Sequence, residues 1–121
     1  MARQLKTGAG WRLGWDAEAA QFKGLVGSDE WAIELTEAEL EDFCRLVVQL
    51  DQTMTQMQQE LMAEERISLE VESDRIWLEA EGFPQAYDLH LIVLTGRGAE
   101  GTWTAQSIPE LVQAVQMLKV F

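Results

Sequence analysis

"TEAEL" at residues 36–40 and "SIPEL" at residues 107–111 share one form, Ser/Thr-x-x-Glu-Leu. Each follows an extended-looking segment that contains a tryptophan, and each opens an apolar run with helical spacing. In a capping box the Ser or Thr hydroxyl accepts a free amide of the first helical turn, and the glutamate reaches back to the amide of the capping residue. The two stretches therefore predict two helices, each beginning where a run of strands ends.

The first predicted helix is long, because neither Gly nor Pro interrupts the chain between Thr36 and Gly82. Its apolar residues are spaced alternately by three and four positions, which places them in one narrow stripe. The stripe either packs on the protein's own sheets and second helix or contributes to a helix-mediated dimer, for which the flexible side chains of Met54 and Met57 are suited. It consists of Leu40, Phe43, Val47, Leu50, Met54, Met57 and Leu61.

Segments in which apolar and polar residues alternate precede both helices, and this period is typical of half-buried strands. Three of them predict an antiparallel meander before the first helix, at residues 10–17, 21–28 and 31–36. Four more predict a second meander before the second helix, at residues 67–73, 75–82, 86–96 and 102–106. The sequence thus predicts an α+β fold with the order βββα–ββββα.

Two details of the second meander follow from the residues. A two-residue turn at Ser73 and Asp74 pairs Val71 with Ile76 and places the apolar residues of both strands on one face. The run at 86–96 is nearly continuous in apolar residues, which favours a central strand covered on both faces.

A chain of 121 residues with 47% hydrophobic residues predicts one globular domain, residues 1–121, with pseudo-repeat halves at about 9–63 and 64–121. No run approaches the ~18 apolar residues that span a membrane, and the start of the chain lacks the apolar stretch of a signal peptide. The single cysteine, Cys44, fits a reducing compartment, so we expect a cytoplasmic protein. One Cys and one His also make a zinc site of the usual kind very unfavourable.

The net charge of −12 opposes non-specific binding to phosphate backbones, but the charge is unevenly distributed. Residues 1–28 carry four basic and two acidic side chains, whereas the rest of the chain is strongly acidic. If an anion or a nucleic acid is bound, the candidate contacts are therefore Lys6, Arg12 and Lys23. The alternative is a short segment that is basic without a functional reason.

The predicted hairpin at 67–81 places Glu70, Glu72, Glu79 and Glu81 on one face. Carboxylate oxygens suit Mg²⁺ or Ca²⁺, but strands offer no loop to wrap an ion, so a solvated face is the favoured interpretation. Trp77 falls on the same face, beside Glu70. An aromatic ring among carboxylates suits a basic or hydrophobic partner protein, and a simple cover over exposed strand backbone is the equal alternative. On the first interpretation the candidate partner surface comprises Trp77, Glu70, Glu79, Met54 and Met57.

The remaining candidate groups favour structural roles. His90 has no nucleophile or substrate partner in the pattern, and Cys44 lies beside the helical stripe. "TGRGAEG" (95–101) lacks the Gly-Lys-Ser/Thr ending of a phosphate-binding loop and leads into a strand, so it predicts a hairpin loop with Arg97 at its tip. Because no residue set fills the roles of nucleophile, base and stabiliser, we expect no enzyme, no cofactor and neither catalytic nor metal-binding residues.

The chain resembles a small, uncharacterised cyanobacterial family whose fold belongs with the Whirly-type single-stranded-DNA-binding transcriptional regulators. The likeness covers nearly the whole chain and rests on the strand–helix order and on "GWRLGWD" (10–16) and "WAIELTEAEL" (31–40). It implies a Whirly-like pseudo-repeat, but for this branch it implies no activity. The lysine-rich strand motif of the DNA-binding members is missing, since "QFKGLVGS" (21–28) has one lysine.

Together these features favour a non-enzymatic binding or regulatory module that acts through protein–protein contacts, with an unknown protein partner and self-association as a homodimer. A single-stranded nucleic-acid-binding transcriptional regulator is the alternative. The acidic strands disfavour it, because rows of carboxylates repel phosphate. No membrane partner is expected.

Overall fold

The computed structural model describes residues 3–60 and 65–121, which form two four-stranded antiparallel sheets and two α-helices. The first half contains sheet A, with β1 (Arg3–Gly8), β2 (Trp11–Asp16), β3 (Gly24–Gly27) and β4 (Ala32–Leu35), and then helix α1 (Glu37–Glu60). The second half contains sheet B, with β5 (Ile67–Glu72), β6 (Ile76–Phe83), β7 (Ala86–Val93) and β8 (Glu100–Trp103), and then helix α2 (Ile108–Met117). Neither helix within these ranges has the combination of length and hydropathy that crossing a membrane requires.

This architecture confirms the predicted α+β fold of two antiparallel meanders, each followed by a helix. Sheet A, however, has four strands instead of the predicted three, and it begins at Arg3, ahead of the predicted start of the first half. The missed strand, β1, lies at the edge of the sheet, and its one apolar residue, Leu5, is 57% exposed. Period-two alternation arises from burial of one face, so an exposed edge strand does not carry that pattern.

Each helix packs on the sheet of the other half as well as on strands of its own half. Helix α1 contacts β5 and β6 of sheet B in addition to β3 and β4, and α2 contacts β1 and β2 of sheet A. The apolar stripe of α1 faces this shared core, as its spacing predicts, and its buried members are Leu40, Phe43, Val47, Leu50 and Met54.

The methionines of the stripe need one correction. The expectation that Met54 lies on a partner surface is wrong, because its side chain is 0% exposed within the chain's own core. Met57 is half-buried, and Leu61 lies outside the described residues.

The predicted capping box at the start of α1 is present. The Thr36 amide donates to Glu39 Oε1 at 2.9 Å, and the Glu39 amide donates to Thr36 Oγ1 at 3.2 Å. The buried carboxylate of Glu39 also accepts the Thr95 hydroxyl at 2.6 Å and the Arg97 guanidinium. Because Arg97 donates to the Glu34 carbonyl of β4 as well, at 2.7 Å, the glycine-rich loop between β7 and β8 braces the end of sheet A.

The second junction differs from its prediction. Ser107 makes no side-chain cap, because it continues a 3₁₀ turn (Ala105–Ser107) with helical backbone angles, whereas an N-cap residue is normally extended. Its hydroxyl instead donates to the Ala9 carbonyl at 2.9 Å, and Glu110 Oε1 accepts the indole N–H of Trp11 at 2.9 Å. The glutamates of both junctions, Glu39 and Glu110, therefore bind side chains of the opposite half.

Trp103 fills the joint between the halves. Its ring is 1% exposed, its indole N–H donates to the Gly27 carbonyl at 2.8 Å, and its centroid lies 4.8 Å from that of Trp31 and 5.7 Å from that of Phe43. A Cβ at Gly101 would lie 2.4 Å from the Trp31 ring, so this close approach requires glycine.

The β5–β6 hairpin turns one residue later than predicted. Val71 pairs with Leu78, and not with Ile76, because the turn residues are Asp74 and Arg75. The Ser73 hydroxyl selects this turn by accepting the amides of Arg75 and Ile76, both at 3.1 Å. The register moves by two positions, which leaves every side chain on its predicted face.

Strand β7 needs a similar correction. It lies between β6 and β8, but it is covered on one face only. Tyr87, Leu89, Leu91 and Val93 face the core, while the face that carries Asp88 is open to solvent. Its apolar run misled the prediction because Ile92 is half-buried on the open face.

Asp42 on α1 gives a prediction for acid stability. Burial raises its pKa, but the hydrogen bonds from Ser73 at 2.7 Å and Arg75 at 3.3 Å, with the charges of Arg75 and Arg45, outweigh burial and hold the pKa below its ordinary value of 3.8. A depressed folded-state pKa stabilises the fold above the ordinary value, and this contribution is lost as the pH falls through the folded-state pKa. We therefore expect the free energy of unfolding to decline below about pH 4.

Urea unfolding of the wild type and of Asp42→Asn between pH 7 and pH 2.5 measures this contribution. The difference between the two proteins should be largest near neutral pH and should shrink in the acid range. A constant difference across the range would show that the Asp42 carboxylate is not the group that titrates.

Candidate functional site

The solvent-facing side of sheet B carries a concentration of negative charge. Cross-strand register aligns Glu70 with Glu79 and His90, and Glu72 with Trp77 and Ile92. Within the described ranges, the ion pairs on this side that involve a basic residue are Arg66 with Glu81 at 3.4 Å and His90 with Glu100 at 2.9 Å. We call this side the acidic face; its carboxylates belong to Glu70, Glu72, Glu79, Glu81, Asp88 and Glu100.

Like charges lie directly opposite each other on the acidic face. Glu70 and Glu79 are cross-strand partners, an arrangement that destabilises a sheet slightly. Hydrogen bonds offset part of this cost, since the Ser68 hydroxyl donates to Glu79 Oε2 at 2.9 Å. A cationic partner would relieve the remaining repulsion.

Trp77 provides a fixed aromatic surface among these carboxylates. Its indole N–H donates to Glu70 Oε1 at 2.8 Å, and its ring packs edge-on against His90 with the centroids 5.5 Å apart. The side chain is half-buried, so part of it remains accessible. An aromatic ring held beside carboxylates suits a Lys or Arg side chain, which gains a cation–π contact in addition to the ion pair.

The predicted anion contacts are divided between two places. Arg12 and Lys23 line one concavity of about 210 Å³ on the solvent-facing side of sheet A, together with Arg3, which sequence reasoning missed. Lys6 lies elsewhere and lines a groove of about 420 Å³ between β1 and α2.

The two predicted cations that the structure does bring together already have partners. The Arg12 guanidinium donates to the carbonyls of Ser28 and Trp31, at 2.8 and 2.9 Å, and the Lys23 ammonium lies 3.5 Å from a Glu37 carboxylate oxygen. A phosphate in this concavity would therefore compete with contacts that the fold makes on its own.

Two groups that can act as nucleophiles, the half-buried Cys44 thiol and the buried Tyr87 hydroxyl, have raised pKa values. Burial, with the charge of Glu41, raises the pKa of the Cys44 thiol to about 12. Burial and the hydrogen bond to Asp51 at 2.7 Å also raise the pKa of Tyr87. Both groups stay protonated at neutral pH, which makes them poor nucleophiles. Across residues 3–60 and 65–121, no three His, Cys, Asp or Glu side chains are grouped so that they could hold a metal ion.

Sequence reasoning found the carboxylates of the β5–β6 hairpin but not those of the neighbouring strands. Asp88 was recognisable in principle, because it is the charged residue of an otherwise apolar strand. Glu100 was not, because it joins the acidic face only through the pairing of β8 with β7.

These features define a class of small α+β domain, in which the helix of each half packs on the sheet of the other half and one sheet presents an acidic face. The chain belongs to the family described as a domain of unknown function, DUF1818, whose model matches residues 6–118. A search of curated proteins found no match. Among solved structures, the chain is similar to a protein with unknown function from the DUF155 family of Prochlorococcus sp. NATL2A, with 30% identity, a TM-score of 0.88, and coverage of 93% of this chain and 96% of that chain. That organism is a cyanobacterium, which agrees with the cyanobacterial part of the resemblance, while its Whirly-type part stays a prediction.

Proposed function

We propose that the protein is a non-enzymatic binding module whose acidic face captures a basic segment of another protein. The observation that carries this proposal is that six carboxylates share one side of sheet B with the fixed ring of Trp77. Binding modules need a preorganised surface more than reactive groups, and a ring already held by Glu70 and His90 loses little freedom when a partner binds.

Electrostatics favour a basic partner over other occupants. The acidic face repels nucleic acid and anionic lipid headgroups, and it attracts Lys and Arg from a distance, which accelerates encounter at low ionic strength. Carboxylates two residues apart on a strand lie roughly 6.5–7 Å from each other, which matches alternate residues of an extended peptide. We therefore infer that the segment contains alternating basic residues.

A titration with synthetic peptides tests this proposal. An extended peptide of alternating Arg and Thr should quench tryptophan fluorescence with a salt-sensitive affinity, whereas a Gln-Thr peptide of the same length should not. Trp77→Phe should remove most of the quenching, because Trp77 is the tryptophan on the acidic face. We expect Glu70→Gln/Glu79→Gln to weaken binding about tenfold, in line with the loss of two partly exposed ion pairs.

The matched control is Glu37→Gln/Glu41→Gln, which removes the same charge from the exposed side of α1. If this variant weakens binding as much as the variant of the acidic face does, net charge and not the face explains the binding. Equal affinity for both peptides would also contradict the proposal.

The Whirly-type resemblance supports a second candidate, a regulator that binds single-stranded nucleic acid. The observation in its favour is the concavity on sheet A, where Arg3, Arg12 and Lys23 meet the half-buried ring of Phe22. Stacking platforms are scarce there, since Trp15 is 8% exposed. Short single-stranded DNA at low salt belongs in the same titration, and tight quenching that Arg3→Ala/Lys23→Ala abolishes would favour this candidate over the first.

A further inference from the structure

We propose that β1 pairs with the β1 strand of a second copy of the chain, which joins two copies of sheet A into one continuous sheet across a two-fold axis. This inference concerns the edge of sheet A and does not depend on what the acidic face binds. It follows from three observations: the direction of the backbone groups of β1, the apolar side chains that flank this edge, and the distribution of charge.

The hydrogen bonds between β2 and β3 show which residues of β2 bond to β1. The Asp16 amide donates to the Lys23 carbonyl at 2.7 Å, which continues the register in which Arg12 pairs with Gly27. In an antiparallel sheet, successive residues direct their amide and carbonyl groups to opposite neighbours. Even-numbered residues of β2 therefore bond to β3, and odd-numbered residues bond to β1.

The register between β1 and β2 then shows which residues of β1 direct their amides and carbonyls towards the open edge. Trp11, Leu13 and Trp15 pair with Gly8, Lys6 and Gln4 of β1, respectively. The remaining residues of the strand, Arg3, Leu5 and Thr7, consequently direct their amides and carbonyls away from β2, towards the open edge. Such an edge is a template for another strand.

A two-fold axis at Leu5 gives hydrogen-bond partners to all of the outward-directed amides and carbonyls. It places Leu5 opposite its own copy and Arg3 opposite Thr7 of the second copy, so that each pair exchanges two hydrogen bonds. On the other side of the strand, Gln4 lies opposite Lys6 of the second copy. No two like charges are directly opposite in this register, which is the condition for a stable antiparallel pair.

Exposed apolar side chains flank both sides of the same edge. Leu5 is 57% exposed on the solvent-facing side of sheet A, and Met117 of α2 is 64% exposed beside the groove that Lys6 and Trp11 also line. An isologous contact at Leu5 brings this side chain against its own copy, which removes apolar surface from water on the solvent-facing side of the joined sheet.

Charge disfavours self-pairing at the β5 edge, and the second half covers the β4 edge. Sheet B ends in β5, whose side chains include Glu70 and Glu72, and like-charge repulsion opposes pairing of that edge with itself. The β4 edge is covered by the second half, because Arg97 donates to the Glu34 carbonyl. Pairing through β1 joins the two basic segments in a register that keeps Arg3 and Lys6 from lying directly opposite a like charge.

Light scattering over a range of concentrations tests the dimer and its site together. The wild type should be dimeric at high micromolar concentration, and Leu5→Lys should raise the dissociation constant about tenfold or more by placing like charges at the axis. Leu94→Lys is the matched control, because Leu94 is 43% exposed and directly follows β7 of sheet B, not the β1 edge of sheet A. A monomeric wild type, or a dimer that both variants weaken equally, would overturn the proposal.

Cross-linking locates the axis independently of stability. Leu5→Cys places one new thiol per chain at the axis, and a short bismaleimide should then link the two copies. Leu94→Cys should not be linked under the same conditions. The native Cys44 is half-buried and can stay in both variants as a shared background, because its raised pKa keeps the thiol protonated and slows its reaction with a maleimide. Equal cross-linking of the two variants would contradict pairing through β1.

Discussion

Replacing Arg97 with Ala should lower the free energy of unfolding by about 3 kcal/mol, a large effect for a residue in a surface loop. Its guanidinium pairs with the carboxylate of Glu39, which is 3% exposed, and donates to the Glu34 carbonyl. Without Arg97, the buried carboxylate keeps its bonds to Thr36 and Thr95 but loses its counter-charge. Removing one partner of a buried ion pair is costly because the other charge stays buried, and the value is at the low end of the range because Arg97 is 31% exposed.

Chemical denaturation of Arg97→Ala and of a matched control measures this effect. Arg45→Ala removes an arginine whose partner, Asp42, is also buried, but Arg45 is 57% exposed and lies 3.5 Å from its partner. That variant should lose less than about 1 kcal/mol. Equal losses in the two variants would show that the contact between Arg97 and Glu39 does not brace the halves.

Replacing Trp103 with Ala should cost about 4 kcal/mol, enough to unfold a marginally stable domain of this size. The ring is 1% exposed and packs between Trp31 and Phe43, so its loss leaves a cavity in the joint between the halves. The Gly27 carbonyl also loses the hydrogen bond from the indole N–H, although it keeps its backbone bond to β2.

Trp103→Phe separates the contribution of packing from that of the hydrogen bond, because it retains much of the packing but cannot donate to Gly27. We expect a loss of about 1–3 kcal/mol for the lost hydrogen bond and the smaller ring. Thermal unfolding followed by circular dichroism, together with urea titrations, measures both variants. A Trp103→Ala protein as stable as Trp103→Phe would show that packing in this joint contributes little.

The sequence predicted those parts of the fold that depend on local periodicity. The stripe of α1, the capping box at Thr36 and Glu39, and the acidic row of the β5–β6 hairpin all follow from the spacing of apolar and polar residues. A hydrophobic period reports which face of an element is buried, and this information is present in the chain before any tertiary contact forms.

Features without such a period were missed or misplaced. Strand β1 has one apolar residue, Leu5, and it exists because its backbone pairs with β2. The turn at Asp74 and Arg75 was placed one residue early because the hydroxyl of Ser73 selects it. These features are set by hydrogen bonds that the composition of the segment does not reveal.

The repeated junction shows most clearly what sequence determined and what tertiary structure decided. The pattern Ser/Thr-x-x-Glu-Leu located the start of both helices, because helical periodicity begins there. Which side chains the two glutamates bind was decided by the exchange of helices between the halves: Glu39 holds Arg97 of the second half, and Glu110 holds Trp11 of the first. The partners in these contacts are 58 and 99 residues apart in the chain, so no local pattern encodes their contact.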